Sequence, residues 1–172
     1  MPFIQVPEGD GANLERAFAL RPEVYAAWQQ LAAAVKATLD ERRYELATLA
    51  AARRLRSSYC SLAHGKVLAE KFYGFESVPA LPEGLEDADR AIMAFAEQVV
   101  ADATAITQAD VDELRGHGLT DEEIFDVVLA ATIRCFFSKT LDALGVQPDA
   151  EFAQLDSTFH EALTVGRPIE TA

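Results

Sequence analysis

Two segments of this chain are apolar on nearly every side of a helix, and that restricts the fold more than any other feature. The first follows Asp40, a good helix cap, and spreads Leu46, Ala47, Leu49, Ala50, Ala51 and Ala52 around most of the helical circumference. The second opens on Thr120 and Glu123, a capping-box pair. It carries Ile124, Phe125, Val127, Val128, Leu129, Ile133, Phe136, Phe137, Leu141 and Leu144 before Gly145 closes it. Helices of this kind need neighbours all round, so both are expected at the centre of an all-α domain. About eight helices leave part of that surface uncovered, so a homo-oligomer is expected. Alanine and leucine dominate, and no Asn-Gly or Asp-Gly turn separates two alternating segments, so a sheet has no support.

The remaining elements read as amphipathic helices around that pair. Asn13 to Leu20 and Pro22 to about Thr38 precede the first core helix, which runs to about Arg56. A further helix carries Cys60 and ends at Gly74. Residues 75–84 hold Pro79, Pro82 and Gly84, which reads as a long connection able to fold over the Cys60 region as a flap. Glu86 to Asp102 and a segment from Thr107 to Gly116 follow, and a last helix is expected from Pro148 to Val165. The total is about eight helices in a single domain over residues 1–172.

Charge excludes some partners. Twenty-eight acidic residues against fifteen basic ones give a net charge of −13, a field that repels nucleic-acid phosphates and anionic membrane surfaces. No apolar stretch long enough for a transmembrane helix occurs, and Met1 to Glu8 lacks a basic segment followed by an apolar run. A cytoplasmic protein is therefore expected. Its two cysteines, Cys60 and Cys135, form no secreted disulfide framework.

Chemistry concentrates in Ser57-Ser58-Tyr59-Cys60-Ser61-Leu62-Ala63-His64. Four positions put the Cys60 sulfur and the His64 imidazole on one helical face. The serines suit a helix start, so Cys60 falls in the first turn, where free amide N–H groups and the macrodipole favour a thiolate. Glu45, on the helix before, is on the side of Leu49 and Ala52 and should be shielded from water. Paired with His64, it would orient the imidazole as the base that takes the thiol proton.

These residues resemble the alkylhydroperoxidase D-like (AhpD-like) and carboxymuconolactone decarboxylase family. Its redox members carry Glu, eleven residues, then Cys-x-x-Cys-x-x-x-His, and Glu45, Ser57, Cys60 and His64 occupy those four places in order. Ala51 to Gly65, and Phe136 to Gly145, look like its peroxidase-related branch, and the resemblance spans roughly residues 15 to 160. It implies the AhpD-like helical fold, a homo-oligomer, and a peroxidatic thiol at Cys60 with Glu45 and His64 as proton relay. Hydroperoxide is the implied substrate, with no metal or other cofactor required.

One departure stands out. Ser57 replaces the first cysteine of the redox pair, so the resolving thiol is missing from its place. Cys60 sulfenic acid would then need Cys135 or an external small thiol as reductant, while Ser57 would be limited to a hydrogen bond to the sulfur. Two other readings stay open: an acid/base enzyme of the decarboxylase kind using His64 and Glu45 on a lactone acid, and a non-catalytic oligomeric binding protein with a vestigial site. Cys135 reads as a core residue of the second apolar helix, and Arg53, Arg54 and Arg56 as charges that complement a helix C-terminus. His117 and His160 have no metal-ligand partner at useful spacing, and no Gly-rich phosphate loop is present.

Overall fold

The computed structural model describes residues 2–171, which contain eight α-helices and no strand. They are α1 (Asn13–Phe18), α2 (Pro22–Lys36), α3 (Glu41–Arg54), α4 (Ser58–Leu68), α5 (Asp87–Asp102), α6 (Gln108–Gly116), α7 (Asp121–Ala143) and α8 (Ser157–Leu163). The architecture is all-α, as expected.

Helix α3 sits at the centre, packed against α4, α5 and α7. Every residue from Tyr44 to Ala52 is buried, which is why this segment tolerates apolar side chains all round. Its start is fixed by the Asp40 carboxylate, which accepts from the Arg43 backbone N–H at 3.1 Å. Leu46, Leu49, Leu62, Ile92, Leu141 and Phe159 are essentially removed from water, each worth about 1.5–3 kcal/mol of burial.

The turn from α3 to α4 sets the position of Cys60. The Ser57 N–H bonds to the Ala52 carbonyl and the Arg56 N–H to that of Arg53, both at 2.9 Å, with Arg56 in the left-handed region at φ 58°. This is a Schellman closure with arginine at the position glycine usually takes. Ser57 thereby ends α3 and immediately begins α4, leaving Cys60 as the third residue of the new helix. Ser58 Oγ accepts from the Gly166 N–H at 2.8 Å and ties the C-terminal segment to the same turn.

Two expectations are corrected. Residues 75–84 are no flap over Cys60: a short 3₁₀ turn at Val78–Ala80 packs against α8, with Val78 and Leu81 buried. Arg53 pins this segment by donating to the carbonyls of Leu81 (2.6 Å), Val78 (3.0 Å) and Pro79 (3.3 Å). The expected last helix is divided, because Asp156 caps a fresh start by accepting from the Phe159 N–H at 3.0 Å. Only a 3₁₀ segment, Ala150–Gln154, precedes it. Helix α7 keeps uncovered apolar surface: Ile124, Val127, Ala131, Phe137 and Leu141 are buried, while Phe125 and Phe136 are 61% and 47% exposed. No helix of the described residues is long and apolar enough to cross a membrane.

Candidate functional site

Glu45 occupies the first half of α3, where its side chain is 2% exposed, so its oxygens need partners. They have them. His64 Nδ1 lies 2.6 Å from Oε2, and Lys36 Nζ, from the end of α2, lies 3.0 Å from Oε1 and 3.1 Å from Glu41. Burial alone would raise the Glu45 carboxyl, but the hydrogen bond with His64, the charge that ring takes up in acid, and Lys36 outweigh it and hold the carboxyl below its ordinary value.

His64 moves the other way from an ordinary histidine beside a carboxylate. Burial and the positive charge of Arg134 outweigh Glu45 and push its pKa below the usual value, so the ring is neutral at pH 7. With Glu45 accepting at Nδ1, that nitrogen carries the proton and Nε2 is left as the basic one. Tyr44 stands edge-on to the ring, with centroids 6.4 Å apart.

Cys60 is 1% exposed, yet its side chain lines a cavity of about 300 Å³ together with Glu45, His64, Lys36 and Arg134. The rest of the wall is largely apolar or aromatic: Leu14, Tyr25, Trp28, Ala63 and Phe137 from α1, α2, α4 and α7, with Tyr44 and Tyr59. Covering from the α3–α4 side is thus complemented by α2, not by residues 75–84. Tyr59 directs its hydroxyl to the Asp149 carboxylate, and burial with that charge pushes the phenol well above its usual range.

The contact that sequence reasoning missed is Arg134. Its Nη1 donates to Cys60 Sγ at 3.5 Å from 74 residues away, and its guanidinium lies 5.9 Å from the Trp28 ring centre and 5.6 Å from that of Phe137. A signal was available: Val127, Ala130, Ala131, Ser138 and Leu141 are the buried stripe of α7, and position 134 falls on it. A lone arginine on an apolar stripe marks a buried charge with a purpose.

The structure brings Glu45, His64 and Cys60 to one cavity and keeps two other candidates apart. Ser57 is buried at the N-cap position but makes no side-chain cap, and its hydroxyl has no hydrogen-bond partner among the described residues. It is not on the sulfur. Cys135 follows Arg134 on α7, faces away from the cavity, and has its thiol pushed up by burial. Arg53 serves the 78–81 carbonyls, and Arg56 Nε donates to the Val165 carbonyl at 3.3 Å. Among the described residues no group of three His, Cys, Asp or Glu side chains is placed to hold a metal ion.

No protein-family model and no curated protein matches this sequence. Solved structures do match it. A peroxidase-related protein from Ralstonia eutropha JMP134, described as an alkylhydroperoxidase AhpD core, superposes with a TM-score of 0.76 at 23% identity over 88% of this chain and 94% of that one. A peroxidase-related protein from Silicibacter sp. TM1040 gives 0.74 at 21% identity, covering 82% and 78%. A cysteine-to-alanine variant of the debrominase Bmp8, in complex with 2,3,4-tribromopyrrole, gives 0.72 at 16% identity, covering 87% and 85%. The helices of this chain therefore adopt the AhpD-like fold.

Proposed function

We propose that this protein is a thiol-dependent peroxidase that reduces hydroperoxides at Cys60. The observation that carries this reading is the His64–Glu45 pair at 2.6 Å opening into the cavity that Cys60 lines. A neutral imidazole with a free Nε2 is the right acceptor for a thiol proton near pH 7, and Glu45 stabilises the imidazolium that results. Sulfur attacks the distal peroxide oxygen, giving Cys60 sulfenic acid and an alcohol. An external thiol then returns the sulfenic acid to thiol through a mixed disulfide. With serine at position 57 and Cys135 outside the cavity, an external thiol supports the cycle better than either residue.

The test is peroxide consumption with a small-molecule thiol present. Cys60→Ser should abolish it, and dimedone should label Cys60 in the wild type after one equivalent of peroxide. Consumption that survives Cys60→Ser would remove the proposal. The acid/base reading draws support from Ser57 in place of the redox cysteine, and it predicts the opposite pattern: activity on a lactone acid kept by Cys60→Ser and lost by His64→Ala.

We also infer a homo-oligomer. Val24 and Leu31 of α2 and Phe136 of α7 are 40%, 50% and 47% exposed, and they border two adjoining apolar cavities of about 390 and 580 Å³ that share Val24 and Phe136. A continuous apolar face of this kind suits a second copy. Light scattering that returns the 18.7 kDa monomer mass at micromolar concentration would refute it.

A further inference from the structure

Arg134 is 2% exposed, and among the described residues no carboxylate lies within ion-pair distance of it. The carboxylate lining the cavity, Glu45, is already matched by Lys36 and His64. A buried guanidinium without a countercharge is costly, so its retention on the buried stripe of α7 calls for an anion at the site. The group it reaches is the Cys60 sulfur, at 3.5 Å. Its Nε is sealed off without an acceptor among the described residues, whereas Nη2 makes no hydrogen bond and is not sealed, which leaves that end of the planar fork uncommitted at the cavity wall.

Resting on the peroxidase reading above, we propose that Arg134 is a catalytic residue of this site: Nη1, already on the sulfur, stabilises the anion that forms there as the thiol proton leaves, and Nη2 donates to the peroxide as its O–O bond breaks. In the step, the thiol proton passes to His64 Nε2 and the sulfur anion attacks the distal oxygen. The S–O bond forms while the O–O pair leaves on the proximal oxygen, which takes the proton from His64 and departs as alcohol. Cysteine is oxidised to sulfenic acid and the hydroperoxide is reduced. Negative charge travels from sulfur to oxygen, and a rigid fork aimed at both ends of that path favours the transition state over the resting thiol. Trp28 and Phe137 flank the guanidinium and help hold it in place.

The experiment compares wild type, Arg134→Met and Arg134→Lys in two measurements: alkylation of Cys60 by iodoacetamide at pH 7.5, which needs no peroxide, and reduction of cumene hydroperoxide. Arg134→Met should alkylate Cys60 at least tenfold more slowly and reduce peroxide at least a hundredfold more slowly, with an unchanged or higher melting temperature because an unmatched charge is gone. Arg134→Lys should recover most of the alkylation rate but not the peroxide rate, since an ammonium replaces the charge without the fork. Wild-type rates in Arg134→Met overturn the assignment; if that variant does not fold, wild-type peroxide reduction by Arg134→Lys overturns it. A wild type that consumes no peroxide defeats the peroxidase reading, and the alkylation comparison then decides the pairing of Arg134 with sulfur by itself.

Discussion

His64 Nδ1 and Glu45 Oε2 stand 2.6 Å apart across the α3–α4 pair, nineteen residues from one another in the chain. That bond fixes the imidazole tautomer. Glu45→Gln keeps the shape of the side chain but removes the charge that stabilises an imidazolium. Peroxide reduction should fall roughly 10²-fold while the fold persists. An unchanged rate constant in Glu45→Gln would show that the pair is structural only.

Acid should destabilise the protein in two stages. His64 has a folded value below its ordinary 6.5, so below that pH the unfolded chain binds protons the native state refuses, and stability falls as pH drops toward the folded value. Glu45 is likewise depressed from 4.5, so its contribution is complete above that pH and is lost as pH falls through the folded value. Melting temperatures measured from pH 8 to 4 should be highest at the alkaline end. A His64→Gln variant should lose the decline that begins near pH 6.5, and a wild-type profile flat from 7 to 5 would contradict the burial of a neutral ring.

Gly65 should not accept a side chain. A Cβ there would run into the Leu163 methyl and come within 3.3 Å of Phe159, both wholly buried on α8, so the leucine would have to shift within a filled core. Alanine ordinarily improves a helix by about 1 kcal/mol over glycine, but overpacking costs about 1–3 kcal/mol. Gly65→Ala should therefore lower the melting temperature, read by calorimetry; a rise would mean that α8 moves freely.

Oxidation should map to one cysteine. Cys60 lines the cavity, and Cys135 lies outside it with a thiol pushed up by burial. Peptide mass spectrometry after substoichiometric peroxide should find sulfenic acid or its thiol adduct on Cys60 and an unmodified Cys135. A Cys60–Cys135 bridge would instead assign Cys135 as the resolving thiol.

Much of the molecule was legible because its signals are local. Asp40, Thr107 and Thr120 start helices through backbone geometry that a few neighbouring residues settle, and Cys60 and His64 share a face by the helical repeat alone. The Leu155–Asp156 break was missed although its cap is equally local, since Asp156 followed by Ser157 is a helix start inside a run that otherwise reads as continuous.

What the amino-acid order determined by itself was the helical class, the two apolar helices and the Glu45, Ser57, Cys60, His64 register, all of which depend on separations of a few residues or on a repeat of 3.6. Tertiary packing alone decided which group meets the sulfur, that α2 and not residues 75–84 walls the cavity, and that the Ser57 hydroxyl is buried without a partner among the described residues. Those outcomes depend on how α7 and α2 lie against α3 and α4, and interhelical placement is set by the summed fit of many buried side chains, with no single stretch of sequence encoding it.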